Sequence, residues 1–510
     1  MTGTAPIAEV PELAELRSRI DAARATAGDG MPQLHGIELD GAQASGLDFA
    51  GCHLIDARFQ GCELAALNLT GATLLRCKFF ACELPGLQAA GARLINCQLS
   101  ETHAADAQAA GLRAQHCQLQ AVDLAQADLS EAHLSGCSFA HSTLPGAGLA
   151  GARCQDCDGT GIGIAGEELV ALGWFGGTLA HTRVWPQLLR ECRFENCSLR
   201  ALGSGAVHWD GCLLVQVDAA GLDLHNSVWE AVECSRCDLR EADFLRMQAQ
   251  GCAFDECDLR NARWNGSRWD GCAWQRCPWR DGDALLEDAS DTPAAIDGIG
   301  KATFNGCSLA EQDLRALPWQ GVHLRGCQFD GCPATGLILR EAELDDVGFS
   351  RSDCSDGDWR RLQASEFVVD DCLLANTKLD GSHINGGSLA GARIRDTSLR
   401  EATLTEVDLT GLDWRDFNLT GTTLNTCIAD GVDATGLDLR GTHLPGTICT
   451  NAALGRVRLD GSDLTGANFE GSDLAGAVLS GAKAKGALFT NADLRELDAR
   501  QADLSDAQFI

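Results

Sequence analysis

Tyrosine is absent from this 510-residue chain, methionine occurs three times, and aromatic residues make up only 5% of it. Such bias is foreign to an ordinary set of globular domains of this length and points to a repeat. No apolar run approaches the roughly 18 residues needed to cross a bilayer. The first thirty residues also lack the basic start and apolar core of a secretory signal. Positive charge is scarce: 40 Lys and Arg stand against 72 Asp and Glu, a net charge of −32. Bare nucleic acid is repelled by such a surface, so direct nucleic-acid binding and membrane insertion are not expected. A protein partner with a basic surface is. These shortages predict a cytoplasmic product, with export not excluded. What the chain has in excess is glycine, 57 residues, and cysteine, 25 residues.

Residues 1–30 differ from the rest. Pro11 suits a first helical position, and Leu13, Leu16, Ile20 and Ala23 recur at helical spacing before Gly28-Asp29-Gly30. This predicts one short helix that covers the open end of whatever follows, as terminal caps do in solenoids. From about Pro32 a period of five takes over. Cys52-His53-Leu54, Ala57-Arg58-Phe59, Cys62-Glu63-Leu64 and Ala72-Thr73-Leu74 place a large apolar residue at numbers ending in 4 or 9 and a small one two places earlier. The same phase holds in Ser462-Asp463-Leu464, Ala467-Asn468-Phe469 and Ala502-Asp503-Leu504.

Five is neither the helical nor the strand period. Two apolar residues flanking a polar one make an in-out-in extended segment. The other two positions, as in Thr70-Gly71 and Asp460-Gly461, must turn the chain. Each unit is therefore one side of a polygon. Arginine indicates how many sides there are: Arg200, Arg240, Arg260, Arg280, Arg340, Arg360, Arg400, Arg440 and Arg500 are separated by multiples of twenty, and Cys77, Cys97, Cys117, Cys137 and Cys157 step by twenty. Four sides per coil is the simplest account, with neighbouring coils paired as parallel strands. The predicted organisation is an N-terminal helix at 1–30, a repeat solenoid over 31–279 that is irregular at about 159–189, an acidic loop at 280–301 around Pro293, and a second solenoid segment over 302–510. Because Trp279 and Phe304 are 25 residues apart, the loop is expected to return the chain at the next side.

These units, clearest in Ala127-Asp128-Leu129, Ala492-Asp493-Leu494 and Ala502-Asp503-Leu504, resemble the pentapeptide-repeat family. The resemblance covers nearly everything after residue 31. It implies an all-β fold, a right-handed quadrilateral parallel β-helix. For function it implies less. Some members resemble duplex DNA in shape and charge and bind DNA gyrase; others look like bacterial effectors or secretion-system accessory proteins. This chain is much longer than the gyrase-binding members.

The repeat absorbs most tempting sites. Cys154-x-x-Cys157 and Cys234-x-x-Cys237 have a zinc or redox spacing, but each pair occupies a large and then a small inward position. Of the 25 cysteines, 21 fall on the small inward position and four on the large one, which suits a thiol acting as a small hydrophobe. Seven of twelve histidines sit on the outward middle position, spread along the chain without a partner pattern. No catalytic, cofactor or metal site is predicted, and the chain is not expected to be an enzyme. Three features remain as candidate contacts. Trp264, Trp269, Trp274 and Trp279 fill all four sides of one coil, where overpacking predicts widening or exposure of rings. The arginine column, represented by Arg240, Arg260, Arg280, Arg340 and Arg360, offers a regular charged edge, although acids such as Asp238, Asp258 and Asp358 accompany it. Phe509 and Ile510 end the repeat without a visible cap, and an open β edge predicts end-to-end pairing of two copies or capture by a partner. The leading expectation is a non-catalytic protein-binding or scaffold solenoid; the alternatives are a DNA-mimicking modulator of gyrase and a bacterial effector or secretion adaptor.

Overall fold

The computed structural model describes residues 11–182, 185–202, 205–279, 302–315 and 317–509. The acidic segment 280–301 lies outside the described residues. The chain divides into two compact units, Met1–Asp243 and Phe244–Ile510.

The first unit opens with α1 (Pro11–Thr26), whose Leu13, Leu16 and Ile20 are buried while Ala23 is half-covered. The helix is fastened to the first coils by arginines that reach backbone oxygens. Arg17 donates to the Ser45 carbonyl and Arg19 to that of His35, both at 2.9 Å, and Arg24 meets the Asp48 carboxylate at 2.8 Å. This placement covers apolar side chains and carbonyl groups that would otherwise stand at an open edge.

Beyond the helix, β1 (Gln33–His35), β2 (His53–Ile55) and β3 (Thr73–Leu75) stack in parallel with partners twenty residues apart. Leu34, Leu54 and Leu74 therefore lie in one inward row. Four five-residue sides make one coil, and every inward row repeats through the stack. The position two after the large residue adopts positive φ: Asp56 at 58° and Gly71 at 64° are examples, and the other residues so placed also have numbers ending in 1 or 6, apart from a few glycines. Glycine and short polar residues enter this conformation most cheaply, which explains the recurrent Gly and Asp there.

The irregular stretch at 159–189 is deformed without losing the ladder. Glu167 and Gln187, at nominally inward positions, are exposed. Thr182 stays buried because its hydroxyl donates to the Leu179 carbonyl at 2.6 Å. Nearby, β4 (Arg153–Asp158) and β5 (Gly173–Thr178) run straight through a corner and pair from Arg153↔Gly173 to Asp158↔Thr178. Gly177 makes this close passage possible, since a Cβ there would lie 1.9 Å from the Cys157 carbonyl oxygen.

In the second unit β6 (Arg268–Asp270) pairs with β7 (Thr303–Asn305), and Trp269 stands opposite Phe304. The step across the acidic segment is thus 35 residues rather than 20. This corrects the expected return at the next side: Phe304 pairs in the ladder with Trp269, not with Trp264, so the chain re-enters one side further round. A second irregularity was not anticipated. β8 (Gln363–Ala375) and β9 (His383–Arg395) are 13-residue strands with shifted register near Asp370. Phe367, a large residue at a small inward position, pairs there with Gly387, where an added Cβ would lie 2.0 Å from the Phe367 carbonyl oxygen, the same close passage as at Gly177.

Substitution at the two kinds of glycine separates these effects. Gly71→Ala, with nothing within 4 Å of the added methyl, should cost only the left-handed backbone penalty, about 1–2 kcal/mol. Gly177→Ala must also displace the Cys157 peptide and should lower the denaturant midpoint of the first unit substantially more. Equal midpoints for the two variants would contradict the close passage.

Candidate interaction surfaces

The interior contains the residues that look most reactive in the sequence and closes them off. All 25 cysteines are free thiols and all are buried. Most thiols donate weakly to carbonyls of the same and the preceding coil: Cys77 Sγ lies 3.5 Å from the Leu54 carbonyl oxygen and 3.6 Å from that of Leu75. Desolvation pushes the Cys449 thiol up to about 12 and the Cys427 thiol to about 11, well above an ordinary cysteine. Both Cys-x-x-Cys pairs are buried as well. Among the described residues no group of three or more His, Cys, Asp or Glu is arranged to hold a metal ion.

The four tryptophans of one coil are packed inside it. Ring centroids of Trp264, Trp269, Trp274 and Trp279 are 5.2–5.9 Å apart around the coil, and Trp264 and Trp279 close the circuit at 4.7 Å. Their exposure is 0–1%, so the expected surface rings are not there and no partner can touch them directly. Trp269 Nε1 donates to the Ser267 hydroxyl at 2.9 Å, while the indole nitrogens of Trp264, Trp274 and Trp279 have no acceptor among the described residues. Each such orphan costs about 1–3 kcal/mol. Aromatic packing and burial of large apolar area offset that cost.

The arginine column separates into two. Because the ladder advances 35 residues at Arg268↔Thr303, Arg340 and Arg360 lie one side round from Arg260. Sequence spacing by twenties hides this, since the insertion is not a multiple of twenty. Most of these arginines are held by a local clamp. In Asp238-x-Arg240 the carboxylate accepts from the Arg240 backbone N–H at 3.1 Å and from its guanidinium at 2.5 Å; Asp258-x-Arg260, Asp413-x-Arg415, Asp438-x-Arg440 and Asp498-x-Arg500 repeat the arrangement. The short acid forms an Asx-type turn and fixes the fork at once. Exposed pairs of this kind add little stability, at most about 1 kcal/mol each. Asp358 is different, because both Arg340 and Arg360 bind it. Burial works against its ionisation, yet the two guanidinium hydrogen bonds outweigh that and hold the carboxyl down at about 2. Arg280 lies outside the described residues.

At the last coil Phe509 is 45% exposed and stacks on Phe489, with centroids 5.3 Å apart. Ile510 lies outside the described residues. The inward Ala492, Leu494, Leu497 and Leu504 are only half-covered by this chain.

One broad surface feature escaped the sequence analysis. A groove of about 670 Å³ crosses successive coils of the second unit, with Leu324, Leu344, Ala364 and Ile384 as its floor. Its walls are two outward rows. One runs His323, Glu343, Gln363, His383; the other runs Asn305, Arg325, Asp345, Ser365. His323 Nδ1 lies 2.9 Å from Glu343, Arg325 3.2 Å from Asp345, and the Ser365 hydroxyl donates to Asp345 at 2.6 Å. The polar character of these outward positions was legible; the depression was not, because the five-residue phase records which side chains point outward and not the relief of the rows they form.

Coils of four five-residue sides, filled by apolar side chains and thiols, define a repeat solenoid whose chemistry is confined to its outer faces. The family pattern described as Pentapeptide repeats matches in eight copies, over residues 37–79, 117–153, 372–411, 449–481 and 472–509. These matches cover part of the chain, and the structure is a parallel β-solenoid that matches the β-helix of pentapeptide-repeat proteins. Among solved structures, a pentapeptide repeat protein involved in heterocyst differentiation regulation from the cyanobacterium Nostoc is similar at 25% identity, covering 40% of this chain and 90% of its own, with a TM-score of 0.19. A plasmid-mediated fluoroquinolone resistance protein aligns at 19% identity, covering 39% of this chain and 89% of its own, with a TM-score of 0.16. A pentapeptide repeat protein from the cyanobacterium Cyanothece aligns at 26% identity over 21% of this chain and 64% of its own, with a TM-score of 0.10. No curated protein matches the chain. No helix among the described residues is long and apolar enough to cross a membrane.

Burial of every thiol makes a direct prediction. The native protein should react with a thiol reagent such as DTNB at a small fraction of the rate of free cysteine, and all 25 thiols should titrate in guanidinium. Rapid reaction of Cys154, Cys157, Cys234 or Cys237 in the native state would revive a redox or metal role for those pairs.

Proposed function

We propose that this chain is a non-catalytic protein-binding solenoid whose outer faces engage a partner protein. The observation that carries this reading is the groove over residues 305–405, where outward His, Glu, Gln, Arg, Asp and Ser side chains are aligned coil by coil above an apolar floor. Parallel pairing fixes each outward residue over the next, so the face is preorganised and little side-chain freedom remains to be lost on binding. The titratable groups found close together there, His323 with Glu343 and Arg325 with Asp345, are half-exposed or more, as expected of a contact surface.

The alternative of a duplex-DNA mimic requires negative charge along a continuous face. The most acidic outward row, Asp413, Asp433, Ala453, Asp473 and Asp493, is broken at Ala453, and Arg415 and Arg495 neutralise three of its acids. The net charge of −32 favours a basic partner in general; these pairings make the protein-binding groove the better-supported reading.

A photo-crosslinking amino acid at Gln363, inside the groove, should capture a discrete host protein in native cells, whereas the same residue at Gln108, on an exposed face of the first unit, should not. Adducts at neither position, or the same adducts at both, would remove the groove as the binding face.

A further inference from the structure

The Asp-x-Arg clamp is missing at several arginines of the column, among them Arg200, which has Ser198 two places earlier and pairs with Asp218 instead, and two that lie close together. Where the pattern Asp-x-Arg holds, each guanidinium has its own carboxylate two residues earlier. At Arg340 that position is Ile338, and at Arg400 it is Ser398. Arg340 therefore borrows Asp358, which already serves Arg360. The Arg400 guanidinium has no acceptor among the described residues; only its backbone N–H is used, donating to Asp380 at 3.2 Å. Asp380 is further occupied by the Ser398 hydroxyl.

These residues meet at an open notch of about 530 Å³, lined by Gln320, Arg340, Glu341, Arg360, Arg361, Asp380, Gly381, Arg400 and Glu401. Gly381 creates the opening: between Arg361 and Glu401 in the same row it contributes no side chain. Arg361 reaches Glu341 at 3.3 Å, an exposed and loose contact. Lys378, exposed, stands between Asp358 and Ser398 in the adjoining row. Among the lining residues four cations, Arg340, Arg360, Arg361 and Arg400, face three carboxylates, Glu341, Asp380 and Glu401. A local excess of one positive charge is unusual in a chain of net charge −32.

We propose that this notch binds an oxyanion of the phosphate class. Guanidinium forks approach it from three of four successive rungs, with Asp380 on the remaining one, and a tetrahedral dianion offers acceptors to several forks at once. Arg360 spends Nε and Nη2 on Asp358 and keeps Nη1 for a ligand; Arg400 keeps its whole fork. The acids of the lining discriminate against polyanions too large to sit between them. The site is independent of the groove and does not rest on the protein-binding reading.

The test is calorimetric titration of the full chain with inorganic phosphate, at matched ionic strength against sodium chloride. Saturable binding is expected for the native sequence. Arg400→Ala and Arg361→Ala should each weaken it by about tenfold, the usual effect of losing a charge-assisted hydrogen bond. Arg440→Ala, which breaks an intact clamp with Asp438 elsewhere on the surface, should leave it unchanged. Thermal melts followed by circular dichroism establish that each variant is folded, and either of the first two suffices. Absence of saturable binding, or an equal loss in Arg440→Ala, would overturn the proposal.

Discussion

Parallel backbone pairing between residues twenty apart is the interaction on which each unit depends. It satisfies the peptide groups of short three-residue strands that could not persist alone, and it does so only while four sides of five residues close each turn. Thr73 N–H to the Cys52 carbonyl and Asp56 N–H to the Leu75 carbonyl, at 2.9 and 3.0 Å, are two links of a ladder repeated at nearly every side. Everything else is a condition for keeping that ladder. The inward residues must fill a small constant volume, hence alternating large and small apolar side chains and the many thiols. The corner residue must accept positive φ, hence glycine, asparagine and aspartate. Where strands run straight through a corner, as at Cys157 and Phe367, a glycine on the facing coil allows the close backbone approach.

The same constraint decides what the protein can do. A filled interior leaves no cavity lined by the reactive residues, and the cysteines that look like metal or redox pairs become packing. Chemistry moves outward to rows whose spacing is set by the ladder. On these rows a single substitution repeats its effect through neighbours one coil away. Ile338 and Ser398 in place of aspartate leave Arg340 and Arg400 without their own counter-ions, and Gly381 opens the space between them.

Much of this was legible in the sequence. The inward phase, the corner glycines and the structural role of Cys154, Cys157, Cys234 and Cys237 follow from position within the five-residue unit. The helix that Leu13, Leu16 and Ile20 dock on the first coil was also readable from their spacing. What was hidden has one common reason: a phase of five survives any shift by a multiple of five, so it records which way a side chain points but not which side of the coil it is on. The 25 residues between Trp279 and Phe304 preserve the phase while moving every later column round by one side. Arg260 and Arg340, eighty residues apart, consequently stand on different sides. The tryptophans failed as surface candidates for a different reason. Overpacking was inferred from volume alone, whereas the rings reach close mutual packing inside the coil.

The central claim, that inward phase rather than local sequence specifies the fold, is tested most directly by two deletions in the second unit. Removing residues 461–480 takes out one whole coil and leaves every later residue pointing as before; removing residues 461–479 takes out nearly the same chain but moves every inward residue beyond it to an outward position. Amide hydrogen exchange over residues 482–509 is the measurement. The account predicts native-like protection after the first deletion and its loss after the second; comparable protection in both would contradict it.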